Sequence, residues 1–161
     1  MIDKKPYKTS NWYLVTIDDA PRFLPGKSFI DILQLLSSIC KFNFIITDCI
    51  DGSGKDWIIS NLQDKNNTVF KFDEILQLLC DIKQLDWGDF FLFKEYPQNW
   101  TNSKEELYPF VVSQSDTTIR AVDNQYIYIY TPYPEIVEIL KNTYVVEEIK
   151  IGPLNTLDYP D

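Results

Sequence analysis

Segments with the two-residue period of β-strands alternate with amphipathic helical patterns, and this alternation constrains the fold more than any other feature of the chain. Helical periodicity runs over 29–40 and 72–84, and a third helix opens at Thr131 or Tyr133. Aromatic and β-branched residues mark strand-like segments at 12–17, 42–47, 57–60, 89–93, 117–122, 125–130 and 144–151. The pattern predicts an α+β fold with about three amphipathic helices packed on a mixed or mostly antiparallel sheet.

The length of 161 residues predicts one domain over 1–161, with a flexible N-terminus at 1–10 and an acidic irregular tail at 152–161. The N-terminus has no apolar core of a secretory signal, and no apolar run reaches membrane-spanning length. Three cysteines without C-x-x-C spacing favour reduced thiols. We therefore expect a cytoplasmic protein that does not contact a membrane.

The two main helical patterns share the run Ile-Leu-Gln-Leu-Leu, at 32–36 and again 43 residues later at 75–79. A tandem strand–helix–strand duplication explains this match. Two amphipathic helices that reuse the commonest apolar residues explain it equally well. The sequence leaves both interpretations open.

The chain has no histidine and a formal net charge of −9. The absence of histidine excludes Ser-His-Asp and Cys-His catalysis and every histidine-bearing metal site. The acidity disfavours nucleic acid as a partner, because phosphates are repelled. Residues 95–161 hold 11 acidic and 4 basic residues, a net charge of −7, whereas residues 1–94 hold 13 and 11, a net charge of −2. The C-terminal part is thus either a solvated surface or an acidic docking surface for a basic protein.

Known phosphate and calcium motifs do not fit. The run Gly-Ser-Gly-Lys at 52–55 lacks the earlier glycine and the following Ser or Thr of a phosphate-binding loop. Aligning Gly52 with the glycine of an EF-hand places Cys49 where an oxygen ligand is needed. Cys40 and Cys80 lie on apolar stretches of the two helices, which favours core positions over nucleophiles. We predict no cofactor, no metal and no catalytic residue.

Tyr126, Tyr128 and Tyr130 alternate with isoleucines along one strand, so their three rings share one face of the sheet. If the isoleucines face the core, the tyrosines form a ladder that is open to a partner, and tyrosine is enriched at interfaces. If helices cover that face instead, the tyrosines are core residues with satisfied hydroxyls. The long polar loop over 96–108 adds Trp100 as a further aromatic candidate.

Small size, acidity, lack of histidine and the α+β layout resemble bacterial toxin-immunity proteins of contact-dependent or polymorphic toxin systems. The hairpin over 118–131 followed by a helix is similar to such chains as well. The resemblance covers the whole chain loosely, rests on no diagnostic motif and transfers no residue. It implies a protein that neutralises a cognate basic toxin domain, often a nuclease, by forming a tight complex.

Under this hypothesis aromatic residues anchor the partner and acidic residues steer it. The candidate partner-binding residues are Trp100, Glu105, Glu106, Asp116, Asp123, Tyr126, Tyr128, Tyr130, Glu135 and Glu138. One alternative is an enzyme that acts through paired carboxylates. Another is an adaptor or subunit that associates with its own copies, and the sequence leaves the oligomeric state open.

Overall fold

A computed structural model describes residues 11–17, 25–55 and 57–158. Within these residues one seven-stranded sheet has the order β3-β2-β4-β5-β6-β1-β7, and all six neighbouring pairs are antiparallel. The strands are β1 Trp12–Ile17, β2 Phe44–Gly54, β3 Val69–Lys71, β4 Ile82–Phe93, β5 Thr117–Val122, β6 Tyr126–Thr131 and β7 Val146–Gly152. The helices are α1 Gly26–Ser37, α2 Ile58–Asp64, α3 Phe72–Leu79, α4 Leu107–Gln114 and α5 Pro134–Thr143, with 3-10 turns at Lys104–Glu106 and Leu154–Thr156. The predicted α+β fold is confirmed.

Apolar side chains from both faces of the sheet form two separate cores. On the first face, β-sheet residues such as Val15 and Ile129 pack against buried residues of α1, α2, α3 and α5. On the second face, Phe91 and Leu14 pack against α4 and against Leu154 and Leu157 of the tail. The second core reaches only part of the second face, and this leaves the rest of that face without a covering helix among the described residues.

Two helices connect parallel strands across the first face. The chain of antiparallel pairs makes β1 parallel to β2, with three strands between them, and β3 parallel to β4, with β2 between them. Helices α1 and α3 lie side by side there. A Cβ on Gly26 at the start of α1 would lie 2.0 Å from the Leu79 carbonyl oxygen, so the helices approach closely only because this residue is glycine. The two crossovers span different numbers of strands, and this difference leaves the question of duplication open.

Five α-helices occur in the described residues, where the sequence pattern predicted about three. The segment 57–60, predicted as a strand, belongs to α2, because Ile58 and Leu62 lie four residues apart and both enter the first core. The helix α1 begins at Gly26 rather than after Ser28, which is buried within its first turn. The predicted turn at 51–54 is part of β2. The predicted irregular tail contributes two buried leucines to the second core.

None of the described helices has the length and apolar character needed to cross a membrane.

The packing of α4 on the second face gives a testable prediction. Phe110 is buried, and its ring centre lies 4.9 Å from that of Trp100 and 6.5 Å from that of Phe93. We expect Phe110→Ala to lower the free energy of unfolding by about 3–5 kcal/mol, because it leaves a cavity next to the rings of Trp100 and Phe93. Urea denaturation followed by circular dichroism measures the change. Trp57→Ala, at an exposed ring, is the control, and we expect it to cost less than about 1 kcal/mol.

Candidate functional site

The uncovered part of the second face contains a row of polar residues that lie directly opposite one another across six strands. We call it the polar row. In strand order from β2 to β7 it consists of Asp48, Asp89, Arg120, Tyr128, Thr16 and Glu148. Because directly opposed residues of antiparallel strands point to the same side, all six side chains share the second face. The next row along the strands, from Ile46 to Leu14, lies in the second core.

Two carboxylates are buried side by side in the polar row. Asp48 is 2% exposed and Asp89 is 3% exposed. The Nε of Arg120 donates a hydrogen bond of 2.8 Å to Oδ1 of Asp89. The Asn67 amide donates to Oδ1 of Asp48 at 3.2 Å, and the Cys49 thiol lies 3.3 Å from Oδ2. Buried carboxylates require such partners. Two carboxylates and one guanidinium give this network a formal net charge of −1.

The ionisation of Arg120 reflects this pairing. Burial of the guanidinium lowers the pKa of Arg120, but the charge and hydrogen bond of Asp89 outweigh that effect and raise the pKa overall. The arginine is therefore fixed in its charged form next to Asp89. It also interacts with the hydroxyl of Tyr130, so it links the polar row to the edge of the second core.

The ligand atoms of Asp48, Cys49 and Asp89 lie within 4.8 Å of one another, a spacing suited to a metal ion. However, the guanidinium of Arg120 already supplies the positive charge next to Asp89. Hydrogen bonds from Asn67 and Cys49 engage both oxygens of Asp48. The contacts are those of an internal ion-pair network, and we assign no metal to it.

A bulge in β2 opens a pocket beside this network. Cys49 has a φ of 55°, and the register between β2 and β4 shifts between Asp48 and Asp51. The adjacent pocket has a volume of about 360 Å³ and is lined in part by Asp51, Trp87, Asp89 and Arg120. Trp87 is 44% exposed, so an aromatic ring stands at the mouth of a pocket whose floor carries buried charge.

The tyrosine ladder of β6 divides between the open and the covered part of the second face. Tyr126 and Tyr128 are half-buried, and their rings stack with centres 6.4 Å apart. Tyr130 is 1% exposed, packs in the second core and donates a hydrogen bond of 3.1 Å to the carbonyl oxygen of Asp158. Tyr130 is therefore a core residue with a satisfied hydroxyl, whereas Tyr126 and Tyr128 stay partly exposed.

Of the predicted acidic residues, Asp116 is the one that the structure buries. It is 2% exposed, and its Oδ2 accepts a hydrogen bond of 2.8 Å from the backbone N–H of Lys94. The carboxylate thus fixes the end of β4 and offers no surface to a partner. With Tyr130, it is a predicted binding residue that the structure places inside the protein.

The other acidic candidates are exposed but lie apart from one another. Glu105 and Glu106 belong to the 3-10 turn before α4, on the side of the second face. Glu135 and Glu138 lie on α5, which covers the first face. Asp123 occupies the turn between β5 and β6. The structure therefore places these acidic residues in two helical layers and at one end of the sheet, and they do not form one surface.

Trp100 has an internal role. Its indole N–H donates a hydrogen bond of 2.5 Å to the carbonyl oxygen of Asn67, and its ring packs on Phe110. Asn67 in turn holds Asp48, so Trp100 connects the loop after β4 to the buried carboxylates. We therefore assign Trp100 to the support of the polar row rather than to the exposed surface.

The candidate site residues predicted from the sequence do not include Asp48, Asp89, Arg120 or Trp87. A weak signal existed, since Asp48 follows the apolar run 44–46 and Asp89 precedes the run 90–93. Their pairing depends on the register between β2 and β4, which no local pattern contains. The expected core position of Cys80 was wrong, because its side chain is exposed at the end of α3, and Cys40 is only half-buried.

The pocket beside Trp87 holds two carboxylates, as the alternative of a carboxylate enzyme requires, but Asp89 is engaged by Arg120. A larger pocket of about 530 Å³ lies between the end of α1 and the start of α3. It is lined by Lys41, Lys71 and Asp73 among others, and so has a single carboxylate. Neither pocket identifies a catalytic pair, and the enzyme alternative stays a prediction.

Comparison with known proteins identifies no family for this chain. No protein-family model matches it, and neither a curated protein nor a solved structure is significantly similar to it. The resemblance to toxin-immunity proteins consequently rests on the sequence features alone.

The buried carboxylates predict a strong effect of removing Arg120. We expect Arg120→Met to lower the free energy of unfolding by at least about 2 kcal/mol at pH 7, because Asp48 and Asp89 lose their countercharge. Urea denaturation at pH 7 measures it, and Lys83→Met, at an exposed cation of the neighbouring strand β4, is the control. A loss equal to that of the control would show that the pair is not needed.

Burial of Tyr130 predicts a loss of stability at alkaline pH. Burial raises the pKa of the Tyr130 hydroxyl, and Arg120 only partly offsets this. The unfolded chain releases this proton near pH 10, whereas the folded chain holds it, so the contribution is complete below about pH 10 and declines as the pH rises further. We expect Tyr130→Phe to flatten this decline in denaturation curves measured between pH 8 and about pH 11. Tyr96→Phe, at an exposed ring, is the control and should show the same dependence of stability on pH as the wild-type chain.

Proposed function

We propose that this chain is a cytoplasmic immunity-type protein that binds a basic toxin domain on the uncovered part of its second sheet face. The single observation that carries the proposal is the stacked pair of Tyr126 and Tyr128, which is partly exposed where the polar row crosses β6. Together with Trp87 and the pocket next to it, this pair defines the docking surface.

Aromatic side chains supply the short-range affinity of such a surface. Tyrosine and tryptophan bury a large area with few rotatable bonds and retain a polar group for hydrogen bonding. The two tyrosine rings already support each other, and β-strands hold all three aromatic residues in place. Little conformational freedom is therefore lost when a partner covers them, which favours tight binding.

Charge supplies the preference for a basic partner. Asp51 and Asp123 are exposed at the end of the sheet that carries Trp87 and Tyr126, and the buried carboxylates keep an excess negative charge below them. A lysine or arginine of the partner that enters the mouth of the pocket meets the exposed Asp51 next to an indole ring, whereas Asp89 stays paired with Arg120. The net charge of −9 adds long-range attraction and speeds association.

Neutralisation then requires only that the bound protein covers the toxin's working surface. This mechanism needs no catalytic residue and no cofactor. It depends on a rigid, preformed surface, which the antiparallel sheet provides.

The test is co-expression with a basic toxin domain encoded beside this chain, with growth and complex formation as readouts. We expect Tyr126→Ala combined with Tyr128→Ala to weaken the complex by about a hundredfold or more, because such anchors carry most of the binding energy. Tyr96→Ala, which removes an exposed ring at a distance from the surface, is the matched control. Failure of the wild-type chain to rescue growth or to bind would contradict the proposal.

A second variant set separates local from overall charge. Asp51→Asn with Asp123→Asn removes two charges from the docking surface, whereas Glu135→Gln with Glu138→Gln removes two from the opposite layer. We expect the first pair to reduce the association rate several-fold more than the second at low salt. Equal effects of the two pairs would show that only the net charge matters and that the basic partner docks elsewhere.

A further inference from the structure

The two edges of the sheet differ, and the difference concerns β7. The edge strand β3 has only three residues and leads directly into α3. The edge strand β7 has seven, and among the described residues none pairs with its outer side. Val145, which immediately precedes β7, and Ile151, near its end, are 60% and 61% exposed. A long edge with exposed apolar side chains is a template for pairing with another strand.

The charges along β7 complement a second copy of the same strand. Glu148 and Lys150 lie two residues apart and thus on one side of the strand, with Ile149 between them on the other side. Consider two copies of β7 that pair antiparallel with their Ile149 residues directly opposite each other. Glu148 of each copy then lies opposite Lys150 of the other copy, which gives two pairs of opposite charge. Pairing about Glu148 or about Lys150 instead would place like charges face to face at the centre.

The same register also brings the apolar residues together. Ile149 meets its own counterpart at the axis, and Ile151 of each copy lies diagonal to Ile149 of the other, within reach of a large side chain. Ile149 is half-buried against the first core, so the isoleucines would extend that core across the junction. The bulge between Val146 and Glu148 limits regular pairing to the part of β7 after it, which makes the contact short.

The existing ion pair of Lys150 does not prevent this arrangement. Lys150 lies 3.6 Å from Asp158, and both side chains are largely exposed, so the bridge contributes little and exchanges readily. From the edge, the charge pattern and the central isoleucines, we propose that two copies of this chain associate through β7 into a dimer with one continuous antiparallel sheet. This dimer does not depend on the proposed toxin binding.

The dimer has a defined symmetry. Two identical strands that pair antiparallel in one sheet are related by a two-fold axis perpendicular to that sheet. Here the axis passes between the two Ile149 residues, so odd-numbered residues of one copy lie opposite odd-numbered residues of the other. The second faces of both copies then lie on the same side of the joined sheet, and both pairs of Tyr126 and Tyr128 point in one direction.

Charge exchange tests the proposal directly. Sedimentation velocity of the full chain over a wide concentration range should show a monomer–dimer equilibrium. Glu148→Lys or Lys150→Glu alone should raise the dimer dissociation constant by about tenfold or more, because each turns two attractive pairs into repulsive ones. The double variant Glu148→Lys with Lys150→Glu restores both pairs and should dimerise like the wild-type chain.

Matched controls separate the local effect from net charge. Glu138→Lys and Lys65→Glu change the charge of the chain by the same amounts at exposed positions away from β7, and we expect no effect on the dimer. Circular dichroism confirms that each variant is folded. A wild-type chain that stays monomeric at every concentration, or a dimer that the double variant does not rescue, would overturn the proposal. Either result leaves toxin binding by the tyrosine pair to be judged by its own variants.

Discussion

The ion pair between Arg120 and Asp89 depends on a register that the whole sheet must satisfy. It joins β5 to β4, and on the neighbouring β2 Asp48 lies directly opposite Asp89 and is held by Asn67. A slip of one residue would turn these charges into the first core and bring apolar residues to the open surface. Apolar burial stabilises many compact arrangements of such strands, but only one of them also pairs the buried carboxylates with their partners.

The boundary between the two parts of the second face follows from the same row. In the next row along the strands, Phe91, Tyr130 and Leu14 are apolar or aromatic, and α4 and the tail bury them in the second core. At the row itself the side chains are charged or hydroxylated; Asp48, Asp89 and Thr16 are buried, and Tyr128 is partly exposed. The division of the tyrosine ladder thus follows from the register of the sheet. Tyr130 belongs to the row that is buried in the second core, whereas Tyr128 belongs to the polar row.

Much of the sheet was predictable because period-two patterns are local. The strands β1, β5 and β6 agree with their patterns to within a residue or two, and so does the start of α3. The short apolar run at 57–60 was not decidable locally, because Ile58 and Ile59 suit a strand or a helix equally until Leu62 is placed against the first core. The number of acidic residues in the C-terminal part follows from the sequence, but their arrangement does not, since chain position does not say which layer receives Glu105 or Glu135. The pair of Asp48 and Asp89, 41 positions apart in the sequence, depends wholly on strand order.

The bulge at Cys49 has a consequence for how this fold can diversify. It lies at the rim of the pocket, where β2 departs from regular pairing, and its neighbours Asp51 and Trp87 take no part in either core. Substitutions at this rim change the shape and charge presented to a partner while the packed interior stays intact. A lineage of such chains can therefore acquire new specificities through a few rim positions, with thermodynamic stability held nearly constant by the covered half of the sheet.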